Sequence, residues 1–318
     1  MQVNLKVKRY NPEAVQPAYY QEFKVDMPEY ATVLDALMEV REYVDETLAL
    51  RCSCRSAICG SCAMRVNGRA RLACKTKVVT LAPRGEQVVV EPAGNLPIVK
   101  DLVVDMKPFW DKVRAVEPWI QPSGPPPEKE YIAPNEAMLH LVGVMNCIMC
   151  GACVSDCTAL EVDKNFLGPA ALAKAYRVVG DPRDAAQKKR LGELSKETGI
   201  WDCTHCFECV EVCPKGVAPM ERILALRREA IKAGYTNNNG ARHMDSFASS
   251  VKHAGWLNEG RLAVESQGYF NLPALISLAP VGLRAMMRNK MPSPLHKARP
   301  GAKNVKRIFE DIEKEAKG

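Results

Sequence analysis

Two matched stretches decide how this chain is read: Cys147-Ile-Met-Cys150-Gly-Ala-Cys153-Val-Ser-Asp-Cys157 and Cys203-Thr-His-Cys206-Phe-Glu-Cys209-Val-Glu-Val-Cys213-Pro214. Both follow the spacing C-x2-C-x2-C-x3-C. That spacing wraps a cubane iron–sulfur cluster, with three thiolates from one tight loop and a fourth that reaches across to a second cluster. The two-residue gaps form short turns that aim each sulfur, and several backbone N–H groups, at one core. The fourth cysteine falls about one helical turn on and faces away from its own loop. The competing assignment is a pair of structural zinc sites. Zinc ligands usually come as separated C-x2-C pairs rather than as two runs of four, which argues against it.

Around these runs the chain is long enough, at 318 residues, for two domains and an extension. With 47% hydrophobic and 25% charged residues it can bury real cores. Its 13 cysteines are bunched at metal-ligand spacings, which points to a reducing compartment rather than a disulfide framework. Met1 leads straight into an alternating, strand-like segment, with no signal peptide, twin-arginine leader or transmembrane run. The expected location is cytoplasmic, or peripheral on the cytoplasmic face of a membrane. The net charge of +7 belongs mostly to the tail, where residues 281–318 hold ten Lys/Arg against four Asp/Glu. No nucleic-acid reading motif accompanies that charge, so no nucleic-acid partner is expected.

Toward the N-terminus, Val3-Asn-Leu-Lys-Val-Lys and Tyr20-Gln-Glu-Phe-Lys-Val alternate as half-buried strands do, and they predict a hairpin around Asn11-Pro12. Val33, Leu37, Val40 and Val44 recur at helical spacing. A cysteine loop follows, Arg51-Cys52-Ser-Cys54-Arg-Ser-Ala-Ile-Cys59-Gly60-Ser61-Cys62. From Cys54 it reads C-x4-C-x2-C, the spacing of plant-type [2Fe–2S] loops. Gly60 permits the tight turn that lets amides approach the cluster. The fourth ligand is Cys74, brought back beside Cys62 by an Asn67-Gly68 hairpin turn. Cys52 is the spare thiol, because Cys54 keeps the register. Arg51, Arg55, Arg65, Arg69, Arg71, Lys75 and Lys77 surround the loop; they either offset the negative charge of four thiolates or form a solvated, partner-facing surface.

The stretch Leu48–Thr76, LALRCSCRSAICGSCAMRVNGRARLACKT, closely resembles the iron–sulfur subunits of succinate dehydrogenases and fumarate reductases. So do Pro97-Ile-Val-Lys100-Asp101-Leu102 and Gly168-Pro169-Ala170-Ala-Leu-Ala-Lys-Ala-Tyr176-Arg177. The resemblance spans roughly residues 1–235. It implies an α+β chain: a β-grasp, ferredoxin-like [2Fe–2S] domain over 1–105, then an α-helical, bacterial-ferredoxin-like domain over 106–235 with two cubane-type clusters. A proline-rich linker at 121–134 separates them, and a helical, basic extension over 236–318 is left for partner or membrane docking.

The resemblance also implies the crossing of ligands. Cys147, Cys150, Cys153 and Cys213 would hold one [4Fe–4S] cluster, and Cys157, Cys203 and Cys209 the other. In most of the family an aliphatic residue stands at Cys206 and the second cluster is [3Fe–4S]. Here Cys206 supplies a fourth ligand and predicts [4Fe–4S]; the alternative is a packed thiol beside [3Fe–4S]. In the family the first run usually ends Cys-Pro, followed by tryptophans that line a quinone site, whereas this chain has Cys157-Thr158-Ala-Leu-Glu161. His205 is expected to hydrogen-bond to sulfur or backbone, with a proton relay as the alternative.

The implied function is electron transfer between the FAD of a flavoprotein subunit and a quinone-reacting, membrane-associated subunit in succinate dehydrogenase or fumarate reductase. The subunit would have no substrate site and no catalytic acid or base of its own. The two departures point to the branch whose third subunit is cysteine-rich and related to heterodisulfide reductase. The alternative is the iron–sulfur subunit of a thiol-linked fumarate reductase, because Arg242–Glu259 resembles the tails of such subunits. The apolar stretch Phe270–Met287, expected to be broken by Pro273 and Pro280 and followed by basic residues, is not expected to span a bilayer.

Overall fold

The computed structural model describes residues 1–14, 16–292 and 297–315. It divides into two compact units, Met1–Glu229 and Ala230–Gly318. In the first, strand β1 (Gln2–Arg9) buries every second side chain, among them Val3, Leu5 and Val7, as a pleat with one dry face requires. It pairs antiparallel with β2 (Tyr19–Asp26). A hairpin of β3 (Ala63–Val66) and β4 (Arg69–Leu72) joins β5 (Gln87–Glu91), and β5 runs parallel to β1, giving the order β2-β1-β5-β3-β4. Asn67 and Gly68 both take positive φ, 49° and 77°, as the tight turn demands. The Asn67 side chain accepts the Val89 N–H at 2.8 Å and pins that turn to β5.

Helix α1 (Val33–Glu39) starts at a capping box in which Thr32 accepts from Asp35 N–H and Asp35 accepts from Thr32 N–H. It lays Val33, Leu34 and Leu37 onto the sheet. Each such burial contributes about 1.5–3 kcal/mol. The mixed sheet crossed by one helix is the expected β-grasp arrangement.

A buried ion network fixes the start of the first cysteine loop. Arg9, at the end of β1, bonds Asp101 at 3.0 Å and Asp45 at 2.7 Å. Asp101 in turn accepts the N–H of Ala49, just ahead of the loop, at 2.9 Å. Asp101 is therefore the physical content of the Lys100-Asp101-Leu102 motif. A buried pair of this kind costs about 3–5 kcal/mol when one partner is removed.

The helical half of the unit is centred on α3 (Gly168–Val179), which buries ten of its twelve residues and packs against α2 (Lys107–Ala115). Helices α4 (Gln187–Leu194) and α5 (Pro219–Lys232) follow. Residues 118–134, rich in proline, form neither helix nor strand and are mostly exposed.

In the second unit, α6 (Asn239–Ala254) packs against α7 (Glu259–Gln267) and α9 (Ala302–Glu315), with Lys252 and Glu313 paired at 2.7 Å. Residue types that commonly stop helices do not do so at two places in this unit. Asn237–Gly240 does not end the preceding helix: Gly234, at φ +91°, follows α5, and Asn238 caps α6 by accepting the Ala241 N–H. Nor do the prolines break the apolar stretch. It forms one helix, α8 (Leu272–Met287), with Pro273 in its first turn, Pro280 inside it and no buried residue.

Candidate metal centres

The loop from Cys54 to Cys62 is built from left-handed residues, Arg55 (φ 55°), Ala57 (φ 55°) and Gly60 (φ 74°), which turn successive amides inward. The N–H groups of Ser56, Ile58 and Cys59 each donate to Cys54 Sγ at 3.3 Å, and Ala57 N–H donates to Cys74 Sγ at 3.3 Å. These amides ring the two sulfurs with N–H donors. The Ser61 hydroxyl and then backbone amides hold the Cys59 thiol down to about 6. Burial pushes Cys62 up to about 12, so only metal binding makes its thiolate favourable there. The β3–β4 hairpin brings Cys74 beside Cys62, with Ala73 N–H donating to Cys62 O at 3.1 Å. Cys52 stands apart: its Sγ packs on Met38 Sδ at 3.6 Å, against the apolar core.

The two runs of four share one backbone device. In the first, Met149 (φ 57°) and Gly151 (φ 79°) flank Cys150, and a short helical turn, Ala152–Ser155, follows. In the second, His205 (φ 58°) and Phe207 (φ 65°) flank Cys206, followed by Glu208–Glu211. A bulky residue such as Phe207 adopts this conformation only when the surroundings over-determine it.

Each run's thiols have neighbours in the other run. Burial, then the charges of Cys147 and Cys213, raise Cys150. Burial raises Cys153 as well, reinforced by Cys150, Cys147, Cys209 and Cys213. One cavity is lined by Cys147, Cys150, Cys153 and Cys213, with Phe109 and Ala170 behind them. In the other set burial lifts Cys157, helped by Cys206 and Cys203. It carries Cys209 to about 12, helped by Cys203, Cys157 and Cys206. Cys206 differs: burial alone would raise it, but hydrogen bonds from Thr158 and then Thr204 hold it below its ordinary value.

The sulfur-only donor set suits zinc or iron–sulfur clusters. Among the described residues no three ligating side chains converge on a single ion.

The three groups adjoin one another, the turn Ala152–Ser155 packing against Glu208–Glu211. A Cβ on Gly60 would lie 2.7 Å from Cys150 Cβ, so the first loop rests directly on the first run. Cys153 in turn lies within electrostatic reach of Cys209. Asp156, one residue before Cys157, accepts Arg65 Nε at 3.0 Å and Ala70 N–H at 2.7 Å, tying the hairpin to the same run. Asn95 Nδ2 donates to the carbonyls of Val154 and Cys157 at 2.9 and 3.0 Å. Arg65 is thus engaged within the chain, as are Arg51 with Val104 O and Arg69 with Glu208. Sequence reasoning missed Asp156 and Asn95; the only local signal was a carboxylate inside the x3 gap of a metal motif.

Residues 4–111 match the model of a 2Fe-2S iron–sulfur cluster binding domain, and residues 143–217 match a 4Fe-4S dicluster domain. The chain is 37% identical over 234 residues to the mitochondrial succinate dehydrogenase (ubiquinone) iron–sulfur subunit of Dictyostelium discoideum, covering 71% of this chain and 81% of that one. It is 38% identical over 217 residues to the fumarate reductase iron–sulfur subunit of Mycobacterium tuberculosis, covering 68% and 87%. Against the 8-methylmenaquinol:fumarate reductase iron–sulfur subunit of Wolinella succinogenes it is 34% identical over 246 residues, covering 76% and 77%. Among solved structures, a chain of the Mycobacterium smegmatis Sdh1 complex in the apo form superposes with a TM-score of 0.65 at 25% identity, covering 74% and 98%.

Proposed function

The chain belongs to the family of succinate dehydrogenase and fumarate reductase iron–sulfur subunits, and on that premise we propose how its cysteines divide the work. It is the electron-transfer subunit of a complex II-type oxidoreductase, with one [2Fe–2S] and two cubane-type clusters and with the FAD on a flavoprotein partner. Cys54, Cys59, Cys62 and Cys74 hold [2Fe–2S]. Cys147, Cys150, Cys153 and Cys213 hold the first [4Fe–4S] cluster, and Cys157, Cys203, Cys206 and Cys209 the second. The observation that carries this order is the run of contacts, Gly60 on Cys150 and then the turn Ala152–Ser155 against Glu208–Glu211.

Bound there, the clusters supply one-electron chemistry without proton transfer. The chain's own residues hold and insulate them. Backbone N–H groups donate to the sulfurs, while Phe109 and Ala170 exclude water behind the first set. No side chain acts as a catalytic acid or base.

The third partner in this proposal is a cysteine-rich, heterodisulfide-reductase-related subunit, with the complex peripheral on the cytoplasmic face of the membrane. After Cys157 the chain offers no aromatic wall, only the short helix Thr158–Val162. Helix α8 leaves Ile276, Val281, Met286 and Met287 exposed, apolar surface that suits a protein partner. No described helix is long and apolar enough to cross a membrane. The same features suit the second reading, a thiol-linked fumarate reductase. Purifying the native complex, identifying its subunits, and assaying succinate and fumarate with a quinone analogue and with a dithiol tests both. A co-purifying transmembrane haem anchor would overturn the choice of third partner. Truncation after residue 235 is expected to keep all three clusters but weaken association; lost clusters would oppose the division at 235.

A further inference from the structure

We propose that helix α8 is an in-plane membrane anchor. Its exposed apolar stripe lies at the boundary of acyl chains and headgroups in an anionic lipid surface, and Arg284 and Arg288 beside it meet the lipid phosphates. The proposal rests on the peripheral location at the membrane given above.

Helix α8 has 16 residues. At 1.5 Å per residue that is about 24 Å, short of the ~30 Å hydrocarbon core. A helix this apolar that cannot cross a bilayer can still lie along it. Its two sides differ. Ala274, Leu278, Gly282 and Ala285 recur every third or fourth residue and are half-buried, and α8 packs against α7. Leu272, Ile276, Leu283 and Met287 recur at the same helical spacing on the other side and are exposed. Phe270, just ahead of the helix, is 100% exposed, and Tyr269 beside it is exposed as well. These two rings extend the apolar surface at one end, where an interfacial helix places its aromatic residues.

The charge around the stripe has one sign. Arg284 and Arg288 stand one turn apart along one edge of it and Lys290 follows, all three exposed. From Ser266 to Phe309 the sequence has eight Lys/Arg and no Asp or Glu. Glu265, the nearest carboxylate on the N-terminal side, is already held by Arg261 Nε at 2.6 Å and by the Tyr269 hydroxyl. Among the described residues no ion pair engages Arg284, Arg288 or Lys290. A protein face also covers apolar stripes, but the row of like charges favours lipid. An anionic headgroup layer meets cations in any register, whereas a protein must bring a matching carboxylate to each.

The test is flotation of the purified complex with phosphatidylcholine vesicles, with and without about one-third phosphatidylglycerol. The complex is expected to float with the vesicles that contain phosphatidylglycerol. Arg284→Gln with Arg288→Gln is expected to weaken this partitioning about thirtyfold, and Ile276→Asp with Leu283→Asp at least about tenfold. All four side chains are exposed, so both variants are expected to keep the cluster absorbance and every subunit. Equal flotation of the variants and the wild type overturns the proposal and leaves the peripheral location standing. If the wild-type complex floats with neither kind of vesicle, the proposal and the peripheral location fall together. Loss of the third subunit from either variant marks the stripe as a protein face and overturns the proposal. If the aspartate variant does not assemble, the glutamine variant, which removes no apolar side chain, decides.

Discussion

Replacing Gly60 with alanine probes the point where the first cysteine loop meets the first cubane run. The new Cβ would sit 2.7 Å from Cys150 Cβ and 2.9 Å from Cys150 Cα. Neither atom is the end of a flexible side chain, so the loop or the run must shift. Overpacking of this kind costs about 1–3 kcal/mol. The left-handed backbone at Gly60, φ +74°, adds about 1–2 kcal/mol for any residue with a Cβ. Gly85 separates the two effects: it has nearly the same φ, +79°, and nothing within 4 Å of its would-be Cβ. Gly85→Ala is therefore expected to cost only the backbone share, and Gly60→Ala about 2–5 kcal/mol in all. The assay is anaerobic thermal unfolding of the loaded complex followed by visible absorbance, together with rapid-mix reduction that resolves the [2Fe–2S] and [4Fe–4S] signals. Gly60→Ala should melt below Gly85→Ala and slow transfer between these two centres. Equal melting and equal transfer in the two variants would refute the close contact.

Phe207 is expected to rank differently in valine and glycine variants. At φ 65° and 53% exposure, Phe207→Gly should stay within about 1 kcal/mol of wild type, while the β-branched Phe207→Val should lose more than that; equal melting would contradict the strained turn. Cys52→Ser should leave the [2Fe–2S] spectrum intact and Cys54→Ser should lose or alter it, since Cys54 Sγ accepts three amides and Cys52 faces Met38; the reverse result would exchange their roles. The Thr47 hydroxyl, then Arg9, hold the Asp45 carboxyl down to about 2. Its folded value is below its unfolded value of about 3.9, so its contribution is full above pH ~4 and fades as pH falls toward ~2. Circular-dichroism melts should show Asp45→Asn less stable than wild type at neutral pH, with the gap narrowing to about half near pH 3; a gap that stays constant would remove Asp45 from the network.

What could be read in advance was local. Alternation gave β1 and β2, Asn67-Gly68 gave its turn, and the cysteine register gave the loops, because each rests on period or on a conformation few residues adopt. The long-range contacts were not legible. Nothing near Gly60 says that Cys150 lies against it, and nothing near Arg227 says that its guanidinium bonds the Cys203 carbonyl, more than twenty residues upstream. Asp101 was visible only as part of a familiar string until its bond to Ala49 gave it a role. At Asn237–Gly240 the same residue types serve as stop or start signals, and only the Asn238 bond to Ala241 N–H selects the start. Pro280 looked like a breaker, yet α8 continues through it.

The most direct test of the three-centre account is the iron and acid-labile sulfide content of the anaerobically purified complex, per copy of this chain. Four thiolates at each of three sites predict about ten irons and ten sulfides, with Cys206→Ile falling to about nine irons. About two irons, or zinc in place of iron at the crossed sets, would contradict it.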